Sequence, residues 1–572
     1  MRPCIRGNGA ARRGDSEPMA KPAASVVSAA STALARLVES AVIGFYNGRR
    51  ERREAAAPEV DAAEAPIPAA DPRVEIGNDL PWRPAPGNGP FVDRSRPAAG
   101  QCAASVSLPL SARRKHLYAI GATGSGKTNF LMRLIEDDLG RDQSLCVIDL
   151  RGDLVDRVLL RVAARPGAAE TLARRVLLLD LRETGWSVGF NPLGGDGDAY
   201  ARAFHVLSVL KHSAESWGVQ LDETLRNCLL ALAETGGSLL ELAPLLSEDA
   251  CRRQTLARVT DPYVRAFFAG YDGLSPEKQL QWRLPVLNKV SGFLAIPAVR
   301  RMLSDTDPTY ALRDFLDRTP GAVILVSLAV DRLQGAAHLV GGLFVSAFQN
   351  AVLARVDIPE EKRAPVHLYV DEFENLVSHD TSRFEQMLAE GRRFGLGLTL
   401  SHQNLSQMPT GMGQMILANA NTQLYFQTGA GDAAQLAREI VPHPGESAET
   451  VRQTLMTQPV GTAFVLRRGQ ASPTERVQVH RCPDPPVPPE RVAAVRRAAL
   501  GRYGRPAAAV DAAVAARLAP GGGSSRRAGT EPEPAPFGEV IHTKIPGRFA
   551  PARPSGRKPG KTAAGEGDNP GG

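Results

Sequence analysis

The stretch Gly121-Ala-Thr-Gly-Ser-Gly-Lys127-Thr128 constrains this chain more than any other. It fits G-x-x-x-x-G-K-[ST] between a strand-like run, His116 to Ile120, and a helical pattern. Without Cβ atoms at Gly121, Gly124 and Gly126 the backbone can curl until successive N–H groups point inward, and the helix that follows adds the positive end of its dipole. A loop so built holds phosphates. Ala122, Thr123 and Ser125 complete it, Lys127 reaches the β- and γ-phosphates, and the Thr128 hydroxyl ligates Mg2+. Phe130, Leu131, Leu134 and Ile135 recur at helical spacing behind it, a setting that an ordinary glycine-rich turn lacks. The ligands this implies are ATP and Mg2+.

A phosphate loop needs a partner carboxylate, and Val366-His-Leu-Tyr-Val-Asp371-Glu372 offers one at the end of an apolar run. Asp371 would hold Mg2+ through water. Glu372, one residue on, points to the other side of the backbone and is placed to orient and polarise the attacking water. Two solvated acids at a strand end are the plainer alternative. Further on, Leu398-Thr-Leu-Ser-His-Gln403 closes another apolar run with a neutral amide. Gln403 can sense the γ-phosphate by hydrogen bonding, or merely cap a loop; His402 reads as a loop histidine. Arg392 and Arg393 lie on the turn before that run, where a guanidinium fork suits the charge on a transferring phosphoryl group. In a ring of subunits Arg392 could reach the neighbour's site, and in a monomer it would form a surface pair.

Strand, helix, strand, helix, strand (Ser144 to Leu150, a helix after Arg151-Gly-Asp-Leu154, then Arg175 to Asp180) is the grammar of a parallel sheet covered on both faces. Between Asn191 and Ala311 helical patterns follow one another without a strand, and Ala322 to Ser327 then resumes the sheet. The expected fold is α/β: a mainly parallel phosphate-loop core with an inserted all-helical domain and disordered termini. The 572 residues divide into a flexible region 1–100 with one amphipathic helix over 23–47, a core over 101–190 and 312–481, the insertion over 191–311, and a Pro/Gly/Arg-rich basic tail over 482–572. In that tail Arg491 to Leu518 reads as one Ala-rich helix, and residues 55 to about 100 read as a linker.

Residues 1–100 carry 14 Lys/Arg against 12 Asp/Glu, 101–480 carry 39 against 41, and 481–572 carry 15 against 8, so the formal excess of +7 equals that of the tail. A basic flexible tail suits loose attraction to nucleic acid, or only keeps the protein soluble. The six cysteines show no metal-ligand spacing, which fits a reduced, cytoplasmic protein. No segment is expected to cross a membrane: Arg36 and Glu39 cut the most apolar early stretch into uncharged runs of 14 and 9 residues, where a span needs about 20. Val27, Leu34, Leu37, Val38, Val42 and Phe45 recur at helical spacing before Arg49-Arg-Glu-Arg-Arg53, which suits a helix docked on its own protein or one lying at an interface.

These residues resemble the HerA–FtsK superfamily, and within it the type IV secretion coupling proteins, the TraD/TraG-like ATPases of conjugation. The resemblance is carried by Arg114 to Thr128, Val147-Ile-Asp-Leu-Arg-Gly-Asp153, Phe190-Asn-Pro-Leu193, Leu368-Tyr-Val-Asp-Glu-Phe373 and Gly391 to Gln403, in that order. It implies a RecA-like core and a ring, usually hexameric, that uses ATP to pump DNA through its centre. The helical insertion would meet a relaxase or its DNA, and the wider partners would be a relaxosome and a type IV secretion channel. The family's trans-acting arginine falls on Arg392 and its sensor glutamine on Gln403. Membrane-bound coupling proteins carry an N-terminal transmembrane pair, which is not seen here. The implied location is therefore the cytoplasm or the inner face of the membrane, and a HerA-like branch working on DNA ends stays open. So do two other classes: a secretion ATPase that remodels proteins, and a regulatory ATP-binding module. An intact Asp371-Glu372 pair weighs against the latter.

Overall fold

Apolar runs that lack alternation become the middle of one sheet. The computed structural model describes residues 71–79, 105–195, 198–214, 216–377, 381–409, 411–443, 446–469 and 474–519; the stretch 23–47 lies outside them. The strands are β1 (Arg73–Asp79), β2 (Ser105–Pro109), β3 (Leu117–Ile120), β4 (Ser144–Asp149), β5 (Val176–Asp180), β6 (Trp186–Ser187), β7 (Val323–Ser327), β8 (Val366–Val370), β9 (Leu396–His402), β10 (Thr422–Tyr425), β11 (Thr462–Arg467), β12 (Glu475–Val479) and β13 (Arg505–Pro506). Eleven of them form one sheet in the order β2-β1-β12-β11-β10-β3-β9-β8-β4-β7-β5. From β10 to β5 all neighbours are parallel, and β2, β1, β12 and β11 extend the sheet antiparallel. This is the mainly parallel, RecA-like core that the sequence implies.

Every residue of β3, β4, β5, β7, β8 and β9 is buried, as expected where helices cover both faces. Between β6 and β7 the chain is helical, with helices at Ala199–His212, Val219–Thr235, Leu242–Ser247, Asp249–Leu256, Pro262–Asp272, Pro276–Leu294, Pro297–Leu303 and Leu312–Arg318. Local chemistry starts them. Asp261 accepts from the N–H groups of Tyr263 and Val264 at 2.8 and 3.2 Å, with Pro262 at the first helical position.

The helix Gly335–Leu353 corrects one expectation. Together with the turn to Asp357 it is long and apolar enough to cross a membrane, but 72% of its most apolar 18-residue window is buried inside the fold. Its apolarity is that of a central core helix. Phe344 meets Phe190 edge to face with ring centroids 5.7 Å apart, and a Cβ at Gly342 would lie 3.1 Å from Val209 Cγ1, so it crosses Ala199–His212 at close range.

Two regions read as linker and tail contribute to the fold. β1 lies inside the expected linker and pairs with both β2 and β12, burying Val74 and Ile76. The expected tail holds two helices instead of one, Pro489–Tyr503 and Ala507–Leu518, split where β13 pairs with β6. The first packs Val495, Ala499 and Leu500 into the core, and its Arg496 reaches the carboxylate of Asp180 at the end of edge strand β5. The second reaches the insertion, where Arg301 grips Asp511 with two hydrogen bonds of 2.8 and 2.7 Å and Arg517 meets Glu241 and Ser238. Residues 481–518 carry 7 Lys/Arg against 3 Asp/Glu and 519–572 carry 8 against 5, so more than half of the tail's excess charge sits on this docked segment.

A chain ending at Ala519 should therefore melt at the temperature of the full chain. One ending at Arg481 uncovers β5 and loses the buried side chains of Cys482, Val495, Ala499, Leu500, Ala507 and Val514, which should cost at least on the order of 5 kcal/mol. Equal thermal melting and equal resistance to trypsin for the two truncations would show that the docked helices add no stability.

Candidate active site

The parallel register assembles the site. β9 lies between β3 and β8, with Ile120 opposite His402 and Leu400 opposite Val370, so the residues that follow all three strands emerge at one edge of the sheet. The loop after β3 is fixed from both sides: the N–H of Gly121 donates to His402 O at 3.3 Å, that of Ala122 to Gln427 O at 2.7 Å, and that of Gly461 to Ser125 O at 2.8 Å. Gly124 and Gly126 adopt φ of 75° and 115°, and a Cβ at Gly126 would lie 2.9 Å from Gly461 Cα, so a side chain there is excluded twice. Lys127 opens the helix Lys127–Gly140, and its ammonium donates to Gly121 O at 2.6 Å and Ala122 O at 3.0 Å. Burial lowers its pKa, opposed by the charges of Asp371, Glu374 and Glu372.

Thr128 Oγ1 donates to Asp371 Oδ2 at 3.1 Å, which brings together the hydroxyl and the carboxylate that the sequence assigns to the metal. Burial pushes the Asp371 carboxyl up, against the Thr128 hydrogen bond and the Lys127 charge. Hard oxygen donors beside an ammonium and inward-facing N–H groups are a set that fits a nucleotide with Mg2+. Glu372 sits at φ 51°, unusual for a residue with a side chain, and its Oε1 accepts from Gln403 Nε2 at 2.8 Å. Gln403 Oε1 in turn accepts from Thr123 Oγ1 at 3.0 Å. One amide thus joins the carboxylate of Glu372 to the phosphate loop.

Two groups here escaped the sequence reading. Glu374 is buried, and burial, reinforced by Glu372 and Asp371, pushes its carboxyl up to about 7, against hydrogen bonds from its own N–H and that of Gln403. The run Asp371-Glu-Phe-Glu374 was its signal. Arg151, after β4, brings Nη2 to 4.0 Å from Glu372 Oε2. A third residue was misread. His402 is the buried last residue of β9, its Nδ1 2.8 Å from Tyr118 Oη, and it is no loop residue.

Arg392 is not brought to this edge. It is exposed on the turn Gly391–Phe394, before the amino end of β9. At about 3.3 Å rise per residue the strand puts it roughly 20 Å from the phosphate loop. Behind the site, buried Arg113 Nη2 donates to Asp138 Oδ1 and Tyr369 Oη, both at 2.6 Å, and His367 Nδ1 lies 2.9 Å from Asp138 Oδ2. Asp138 belongs to the phosphate-loop helix, whereas His367 and Tyr369 belong to β8, so this cluster fixes one element against the other.

The profile of the family described as type IV secretion-system coupling protein DNA-binding domain matches residues 101–455. No curated protein matches the chain. Among solved structures, the unbound bacterial conjugative coupling protein TrwBdeltaN70 is 18% identical with a TM-score of 0.48, covering 66% of this chain and 87% of that one. The plasmid coupling protein TrwB in complex with ADP and Mg2+ gives 18% and 0.48, with 73% and 97% covered. VirB4 of Thermoanaerobacter pseudethanolicus gives 12% and 0.41, with 64% and 90% covered.

Burial pushes both His402 and His116 down to about 4, below the value near 6.5 of an unfolded histidine. The neutral forms are favoured in the fold, so stability from this source is complete above pH about 6.5 and is lost as pH falls toward 4. Each histidine should contribute about 2 kcal/mol less to the unfolding free energy at pH 5.0 than at pH 7.5, partly offset by Glu374, whose raised carboxyl acts in the opposite sense. Imidazole NMR signals of the folded protein that titrate near about 6.5 would show that neither ring is held neutral.

Proposed function

Because the chain belongs to the type IV secretion-system coupling protein DNA-binding domain family, we propose that it is an ATP-driven motor that translocates DNA as a ring of identical subunits, hexameric in the form the resemblance implies. The observation that carries the hydrolytic part is the single sheet edge where Thr128 meets Asp371 and Gln403 joins Glu372 to Thr123. Lys127 and the N–H groups of residues 121–128 hold the phosphates, and Thr128 and Asp371 hold Mg2+. When bound, Mg2+ neutralises charge on the phosphate oxygens. Glu372 aligns a water and takes its proton as the water oxygen bonds to the γ-phosphorus. The bond to the β–γ bridging oxygen breaks, and its electron pair leaves on ADP. Gln403 registers the change through its two hydrogen bonds.

Arg392, exposed and remote from its own loop, serves the neighbouring subunit's site. The motor works in the cytoplasm or at the inner face of a membrane, with DNA as its track and a relaxase and a secretion channel as its partners. Stimulation of hydrolysis by DNA separates this reading from an ATPase that remodels proteins, which would be indifferent to it.

Lys127→Ala should abolish ATP hydrolysis in a folded protein, whereas Glu372→Gln should keep ATP bound and unhydrolysed. Unchanged turnover in the first, or loss of ATP binding in the second, would contradict these roles; steady-state hydrolysis and a filter-binding assay read both.

Arg392→Ala should reduce turnover by on the order of 10³-fold while leaving nucleotide binding nearly intact. Its defect and that of Glu372→Gln then lie on opposite sides of one subunit junction. Mixed rings of the two dead variants, verified with different tags, should recover part of the activity. Verified mixed rings that stay inactive would move Arg392 out of the neighbour's site.

A further inference from the structure

The loop after β4 is built to a fixed shape. Asp149 Oδ1 accepts from the N–H of Arg151 at 3.0 Å, while Oδ2 accepts from those of Leu154 and Val155 at 2.7 and 3.1 Å. The carboxylate at the strand end thereby caps the helix Asp153–Ala164 that follows. Gly152 turns the chain at φ 106°, and a Cβ there would lie 2.3 Å from Arg182 Cζ, so the turn demands glycine. β4 lies beside β8 in parallel, with Ile148 opposite Val370. The loop that carries Arg151 therefore stands at the same edge of the sheet as Asp371 and Glu372.

The Arg151 side chain is 67% exposed, and its Nη2 is 4.0 Å from Glu372 Oε2. The other oxygen of Glu372 is held by Gln403, so amide and guanidinium address the carboxylate from two sides. At this distance, with the arginine mostly in solvent, the pair adds little to stability and breaks easily. The other nearby guanidiniums are committed: Arg182 to Asp156 and Asp180, and Arg496 to Asp180. Arg392 stands at the far end of β9. Among the described residues, Arg151 is thus the arginine at this edge that is held only by a long, easily broken pair, and it stands beside Lys127 as a second cation of the site.

We propose that Arg151 is a catalytic residue acting within its own chain, exchanging the Glu372 carboxylate for the γ-phosphate of bound ATP. The inference rests on the hydrolytic reading of Asp371 and Glu372. The exchange does two things at once: it frees the Glu372 oxygen that must accept the water's proton, and it brings a planar fork of donors to the oxygens on which charge develops. Each site then has one guanidinium from its own chain, Arg151, and one from the neighbour, Arg392. A side chain that only paired on the surface would affect neither oxygen.

The test uses full-length Arg151→Ala and Arg151→Lys, checked by thermal melting. Arg151→Ala should lower kcat about 100-fold with KM nearly unchanged. A fluorescent ADP should bind as to the wild type, but its tightening by aluminium fluoride, which mimics the transferring phosphoryl group, should largely disappear. Arg151→Lys should recover part of both. Mixed rings of Arg151→Ala with Glu372→Gln should stay inactive, because both defects fall in a subunit's own site, whereas mixing with Arg392→Ala should recover activity. Turnover within twofold of wild type, intact tightening by aluminium fluoride, or recovery with Glu372→Gln would overturn the assignment. A wild-type chain that hydrolyses no ATP would overturn the hydrolytic reading, and this inference with it.

Discussion

The site depends on one constraint: β3, β9, β8 and β4 run parallel and in register, so everything that follows them emerges at one edge. The strands are too short for the arrangement to survive slippage. A shift of one residue would exchange the two buried faces of β8, each packed against a different helix layer, and carry Asp371 away from Thr128. Register is held partly by the apolar faces and partly by the polar cluster of Arg113, Asp138, His367 and Tyr369, which joins the phosphate-loop helix to β8 from below. Burial alone would push the Asp138 carboxyl up, but the charges of His367 and Arg113 hold it at about 2, so it stays ionised at neutral pH.

Much of this was legible because the chemistry is local. A phosphate loop is written in eight consecutive residues, and the carboxylates of Asp371 and Glu372 announce themselves by ending an apolar run. What failed was whatever depends on a distant partner. β1 offers only Val74 and Ile76 in alternation, too little to mark a strand until β12, some four hundred residues on, supplies its hydrogen bonds. Arg491 to Leu518 reads as one Ala-rich helix in a largely disordered tail because the partners of Arg496, Asp180 and Asp156, are not near it in sequence. His402 shows the same limit at smaller scale. Nothing in Ser-His-Gln says where the strand stops; contacts with Tyr118 and Phe373, distant in sequence, account for its burial.

The apolar helix Gly335–Leu353 is a different kind of case. Composition alone cannot separate a helix bathed in lipid from one enclosed by protein, since both must satisfy their backbone internally and present apolar groups all round. Val209 against Gly342 and Phe190 against Phe344 decide it here.

The docked helices near the carboxyl terminus also bear on mechanics. Asn129, next to Thr128, holds the main chain at His480 and Cys482, at 2.8 Å in each case. The chain then anchors through Asp484 on Arg157 and Arg161, and ends on Arg301 and Glu241 of the insertion. It is a strap that runs from the phosphate-loop helix to the helices between β6 and β7. Its outer attachments are ion pairs between partly exposed groups, whose strength salt screens far more than it weakens apolar packing. The fastening of this strap is therefore electrostatic: salt loosens its outer attachments and leaves the apolar core beneath it unchanged.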